Sequence, residues 1–165
     1  MYRSISDFRD TWEYESDATL KTFRGLTDSS LAQAVRPGGR TLGRLAWHIT
    51  LSLREMMDEA KLPITGPRGE DEQPPLAGII QAYVSGSRAV LDGVSQRWTD
   101  AMLLEKVPMY GEEWTRGKVL GVLILHQTHH RAQMQVLMRQ AGLVVPGIYG
   151  PAYEEWGAYN MPPQP

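Results

Sequence analysis

Four long segments in which apolar residues recur every three to four positions, separated by connections that contain proline and glycine, constrain this chain more than any other feature. That period is helical, because a half-buried strand would alternate at every second residue. Residues 6–26 carry Phe8, Trp12, Phe23 and Leu26 among charged neighbours, with Ser6 as the expected cap. A short continuation through Ser29, Leu31 and Val35 stops at Pro37-Gly38-Gly39. Residues 41–60 align Leu42, Leu45, Ala46, Ile49, Leu53, Met56 and Met57 in one stripe, and His48 lies beside it. Residues 62–75 hold four prolines, two glycines and the acidic cluster Glu70-Asp71-Glu72, the composition of an exposed connection. A third helix is expected from the first-turn residue Pro75 to about residue 98, and a fourth from the cap Thr115 to the stop at Gly142. Between them the period is lost over residues 100–114; LLEKVPMY has room for a short extended piece, but Pro108 argues against a central strand, so irregular structure is expected. From residue 144 onward prolines and glycines predict an irregular tail, with Ile148, Tyr149, Tyr153, Trp156 and Tyr159 available for packing. The fold class that follows is all-α, a four-helix bundle in a single domain over residues 1–165; the long links on both sides of the third helix are compatible with a non-meander order.

Composition narrows the chemistry. Hydrophobic residues make up 42% of the 165-residue chain, enough for a core without covalent staples. Seventeen Lys and Arg against nineteen Asp and Glu give a net charge of −2, so strong binding to nucleic acid is not expected. No cysteine is present, which removes disulfides, thiolate metal clusters and a cysteine nucleophile. The first fifteen residues lack the apolar centre of a signal peptide, and no run of about 18 apolar residues occurs. A cytoplasmic protein without a membrane partner is the expectation. Gly66 and Gly69 do not belong to a phosphate-binding loop, since the run ending in Lys-Ser/Thr is missing.

The main chemical signal is histidine. All four histidines, His48, His126, His129 and His130, fall on the second and fourth expected helices. Residues four apart on a helix stack on successive turns, so His126 and His130 can share one space that His48 approaches from the second helix. Three neutral imidazoles supply three lone pairs to a divalent cation and leave a position for water or substrate. An i,i+3 pair also shares a face, so His48, His126 and His129 form the competing triplet. The stripe Val119, Leu123, His126, His130, Met134 and Leu137 favours His130 as the inward member, while Val122, Leu125 and Val136 give His129 an apolar neighbourhood of its own.

Three stretches, LGRLAWHITLSLREMM, LILHQTHHRAQM and LRQAGLVVPG, together resemble the DinB-like superfamily, which includes metal-dependent YfiT-like and small-thiol transferase members. The resemblance implies metal ligation by His48, His126 and His130, with His129 as the adjacent non-ligating histidine. The sequence departs from the family pattern at Ala132, where glycine is common, and at Leu125, where asparagine is frequent. It implies a divalent metal, zinc or nickel first and manganese or iron next, a small-molecule substrate, and a homodimer. Thiol-dependent transferase or isomerase chemistry with a low-molecular-weight thiol is the expected activity. A metal-dependent hydrolase and a noncatalytic metal-binding stress-response protein are its rivals.

Several neighbours are candidates for the same site. Trp47 and Trp114 are expected to shape a mouth near the metal, each offering apolar area and one indole donor. Arg131 is a candidate for attracting an anionic cofactor, against the simpler reading that it pairs with a carboxylate. Glu55, two turns beyond His48, and more weakly Glu59, can reach a pocket. Gln133 is expected to bond a neighbouring helix or to line the cavity.

Overall fold

The computed structural model describes residues 2–163, so Gln164 and Pro165 of the expected tail lie outside the described range. Its four main helices are α1 (Ile5–Arg24), α2 (Leu42–Glu59), α3 (Leu76–Arg97) and α4 (Arg116–Gln140). Two short strands, β1 (Lys106–Met109) and β2 (Glu112–Thr115), form a hairpin between α3 and α4. The chain folds as the helical bundle expected. Among the described residues no helix is long and apolar enough to cross a membrane.

Local chemistry sets most of the boundaries. Thr115 caps α4 by accepting from the Lys118 N–H at 3.2 Å, and Thr41 does the same for α2 from Arg44 at 3.1 Å. Gly142 takes φ +72°, which lets the Leu143 N–H reach the Met138 carbonyl and the Gly142 N–H reach that of Arg139. The start of α1 differs from expectation. Ser4, not Ser6, is the cap, because its extended backbone lets Oγ accept from the Asp7 N–H at 3.1 Å while Ser6 is already helical. Pro75 sits one position earlier than expected, at the cap of α3.

Two expected irregular regions contain structure. Residues 100–114 fold as a 3₁₀ turn over Asp100–Leu104 followed by the hairpin. Met109 pairs with Glu112, leaving Tyr110 and Gly111 as a two-residue loop, and their φ values of 51° and 84° are those of a type I′ turn. Pro108 is tolerated because the sheet has only two strands and both are edges. The tail contains another 3₁₀ turn at Tyr153–Tyr159.

Hydrogen bonds and close approaches define the direction of each helix. Ile5 donates to Asp100, the Trp12 indole to the Ser87 carbonyl, and Leu76 to Asp28, so α3 runs antiparallel to α1. Tyr2 meets Gly117, Glu15 meets Arg131 and Gly25 meets Met138, so α4 runs parallel to α1. Gly43 lies against Gln73, Gly86 against Leu53 and Gly93 against Ile64, which makes α2 and α3 parallel. The order is up-down-down-up, with α1 packed on α3 and α4, and α2 packed on the same two helices. This is a non-meander bundle. Its core holds Phe8, Trp12 and Phe23 of α1, the α2 stripe, Ile79, Tyr83, Val90 and Val94 of α3, and Val119, Leu123, Met134 and Leu137 of α4.

Parallel neighbours need a return connection. Residues 62–75 travel back along α2, tied to it by Arg54 Nη1 donating to the Gly66 carbonyl at 2.7 Å and by Trp47 Nε1 donating to the Asp71 carbonyl at 3.1 Å.

A buried ion pair joins α1, α4 and the tail. The Arg131 side chain is 2% exposed and its Nη2 donates to Glu15 Oε2 at 2.6 Å. Arg131 Nη1 adds bonds to the Glu15 carbonyl and to Thr19 Oγ1, both at 3.0 Å. The Tyr149 hydroxyl donates to Glu15 Oε1 at 2.7 Å, and its ring lies 5.6 Å from the guanidinium carbon. Burying two charges is costly, and this pair is tolerated because nearby hydroxyls and a carbonyl take up the remaining hydrogen-bonding capacity. Arg131→Met strands the Glu15 carboxylate, so a loss of about 3–5 kcal/mol in denaturant unfolding is expected. The double variant Glu15→Leu/Arg131→Met is expected to recover most of that loss, and the resulting cycle isolates the pair's coupling from simple loss of volume.

Candidate metal centre

The antiparallel packing of α2 and α4 brings three of the four histidines together. His126 and His130 are one turn apart on α4, and their ring centroids are 4.5 Å apart. His48 reaches across from α2, with its ring 4.9 Å from that of His126 and 4.7 Å from that of His130. Nitrogen atoms of all three lie within 4.8 Å of one another. His48 and His126 are half-buried and His130 is buried.

The ring planes are steeply inclined to one another, at 66° for His48 and His126, 80° for His48 and His130, and 82° for His126 and His130. Nε2 of His48 and Nε2 of His126 are 3.1 Å apart. His130 Nδ1 is 2.9 Å from Gln133 Oε1, an acceptor, so the proton resides on Nδ1 and the lone pair on Nε2. The Gln133 amide nitrogen is 3.0 Å from His129 Nε2 and donates to it. Gln133 therefore acts along its own helix and not on a neighbouring one, as a three-to-four-residue spacing allows. His129 is exposed, beside the trio and outside it.

Burial holds the His48 and His126 pKa values down to about 4, with the other imidazoles and Arg40 adding to the effect. His130 is also lowered, chiefly by burial. No carboxylate is among the groups acting on the three rings. At neutral pH the trio is uncharged, which is the form that donates lone pairs.

This donor set fits a divalent ion. A tetrahedral ion with ligands at about 2.0–2.1 Å separates them by about 3.3 Å; the His48 and His126 Nε2 atoms are 3.1 Å apart, and the three donors lie within 4.8 Å of one another. His126 Nδ1 is buried without a partner, so the polar contact of that ring is made on the edge that faces His48.

The other expected site residues go elsewhere. Arg131 is committed to Glu15 and Tyr149 on the α1 side of α4. Trp47 is buried and pins the α2–α3 link. Trp114 lies in β2, where its indole donates to Glu112 at 2.5 Å and Lys118 sits 4.0 Å over its ring. None of the three lines either cavity beside the trio. Glu55 does: a cavity of about 330 Å³ between α2 and the returning link is lined by Arg44, His48, Glu55, Glu59 and Arg68, among others. Glu55 is fixed there by the Tyr110 hydroxyl at 3.1 Å, from the tip of the hairpin. Burial and the Glu55 charge push that phenol up to about 12, so it remains a donor. Tyr110 and Arg40 were not singled out in the sequence. The only local signal for Tyr110 is the following glycine, the composition of a tight hairpin turn.

Comparison with known proteins identifies the family. The chain is 41% identical over 162 residues to the uncharacterized protein YrdA of Bacillus subtilis (strain 168), covering 98% of this chain and 97% of that protein. Its fold matches the crystal structure of a DinB-like protein from Bacillus cereus ATCC 10987 with a TM-score of 0.87 and 39% identity, over 90% of this chain and 100% of that one. A DinB-like protein of B. subtilis, YjoA, shares the fold at a TM-score of 0.68 and 13% identity, over 86% of this chain and 97% of that one. The sequence profile described as the DinB family matches residues 1–164, and the chain belongs to that family.

Proposed function

We propose that the protein is a divalent-metal-dependent enzyme acting on a small molecule, with His48, His126 and His130 as the metal ligands. The observation that carries this reading is the convergence of three neutral imidazoles whose nitrogens lie within 4.8 Å of one another, none of them in an ion pair among the described residues. Buried histidines kept for structure are expected to spend their nitrogens on carbonyls, hydroxyls or carboxylates. Here His48 and His126 turn Nε2 toward each other. A bound ion supplies Lewis acidity and a coordination position for an incoming nucleophile or substrate oxygen.

The chain's own residues prepare that position. Gln133 fixes the tautomer and plane of His130, the role of a hydrogen-bonding partner behind a ligand. The Tyr110–Glu55 pair places a carboxylate on the wall of the cavity that His48 lines. Because the chain has no cysteine, a thiol used as nucleophile arrives with a low-molecular-weight thiol. We favour transferase or isomerase chemistry of that kind over hydrolysis, on the family resemblance. Neutral imidazoles suit zinc, nickel, manganese and iron, so identity is set by geometry and supply.

Purified protein stripped with chelator and reconstituted is expected to take up one divalent ion per chain, read by elemental analysis and zinc titration calorimetry. His48→Ala, His126→Ala and His130→Ala are each expected to weaken zinc by at least about 100-fold while circular dichroism stays helical. Reconstituted wild-type protein without stoichiometric metal would overturn the reading. Gln133→Leu removes the bond behind His130, and a loss of about 10–100-fold in zinc affinity with unchanged stoichiometry is expected. With the metal in place, turnover on panels of small thiols with electrophiles is expected to vanish in His126→Ala; a fully loaded protein inactive on those and on ester and amide panels indicates the noncatalytic role.

A further inference from the structure

A second cavity, of about 400 Å³, lies between the 34–41 loop and the C-terminal half of α4. Its apolar lining comes from Val35 of the loop, Leu45 of α2, and Val136 and Leu137 of α4. Val35 is 70% exposed and Val136 57% exposed, so two branched apolar side chains border the cavity while remaining open to water. Arg36 and Arg40 complete the lining together with Gln133, the residue that bonds His130. The cavity therefore adjoins the histidine trio through Gln133.

The loop that carries the arginines is held in place. Ala34 and Thr41 pair as an antiparallel bridge, the Leu42 N–H donates to the Gln33 carbonyl at 2.9 Å, and the Gly39 N–H donates to the Arg36 carbonyl at 2.9 Å. Gly38 at φ +71° closes the turn. Among the described residues neither arginine makes an ion pair; Arg36 donates only to the Pro37 carbonyl, at 3.2 Å. Arg40 also bears on all three imidazoles, and no carboxylate offsets it there. An apolar cavity with uncompensated guanidinium groups beside it complements a ligand that has an apolar body and a negative charge.

We propose that this cavity binds an organic anion, its apolar body against Val35, Leu45, Val136 and Leu137 and its charged group on Arg40 and Arg36. In assigning that anion as the substrate of the neighbouring metal centre, the inference rests on the metal-dependent reading above; the binding of the anion itself does not. The volume falls at the small end of the range for small-molecule sites, which suits a compact ligand over a peptide.

The test uses 8-anilinonaphthalene-1-sulfonate, an apolar anion that fluoresces when sheltered from water, titrated into the full chain with and without zinc. Saturable binding at one site is expected, weakened about tenfold by Arg40→Gln. N-phenyl-1-naphthylamine lacks the sulfonate; its binding is expected to be unaffected by Arg40→Gln and abolished, like that of the sulfonate, by Val136→Glu. Both substitutions are at exposed positions, and thermal melts verify that the fold is retained. Sulfonate binding that ignores both substitutions, or that never saturates, overturns the proposal. A protein that takes up zinc but shows no dependence on Arg40 loses this anion site and keeps its metal centre. One that binds the sulfonate through Arg40 and Val136 but takes up no zinc keeps the anion site, while the metal-dependent reading fails.

Discussion

The antiparallel register of α2 on α4 is the constraint on which the candidate site depends. Two of its nitrogen donors come from one helix and the third from the other, so no local segment can assemble it. A one-residue slip of α2 would rotate His48 by about 100° around the helix axis and carry its ring away from the other two. The apolar stripe prevents that slip: Leu45, Ile49, Leu53, Met56 and Met57 are all buried, and any rotation that removes His48 also exposes them. Packing thus sets the position of the imidazoles, and burial in that position keeps them neutral.

The rotation of α4 is fixed from two sides. His130 and Arg131 are consecutive, hence about 100° apart on the helix surface, and both are buried. His130 faces the α2 histidine while Arg131 faces Glu15 of α1. A turn of α4 that improved one contact would break the other. The ion pair is a costly way to gain net stability, but it opposes a rotated bundle strongly, because an unpaired guanidinium or carboxylate would then be left in the core. Tyr149 adds the tail to the same cluster, so the segment after Gly142 is tied to the helix that carries His126 and His130.

The periodic segments made the bundle legible, and the spacing of His126 and His130 made a shared face for two of the three histidines legible, because both signals are local to a helix. The cap at Thr115 and the stop at Gly142 were readable for the same reason. His48 was legible as a candidate, but its approach to the pair depends on a contact 78 residues distant along the chain, and here family resemblance did what spacing could not. Glu15 was invisible among the charged residues of α1, since its partner is 116 residues away. That Arg131 pairs with a carboxylate was one of its expected roles, but which carboxylate was not legible for the same reason. A short extended piece around Pro108 was legible, but its pairing with residues 112–115 was not, because Pro108 argues only against a central strand and both strands of this sheet are edges.

The up-down-down-up order has a consequence for access to the site. With α2 and α3 parallel, residues 62–75 must return along the bundle, and they do so against α2, where Trp47 and Arg54 hold them. One wall of the cavity beside His48 is therefore loop, from Pro67 to Glu70, and the facing wall is helix. On the opposite flank the 34–41 loop plays the same part for the cavity next to Gln133. The three histidines sit on helices, while much of the lining of the cavities on either flank belongs to connections. Loops accept substitution and insertion more readily than packed helices do, so this arrangement lets ligand preference change without disturbing the histidines. The same order thus leaves the positions of the three histidines to helix packing and the outline of the two flanking cavities largely to the connections.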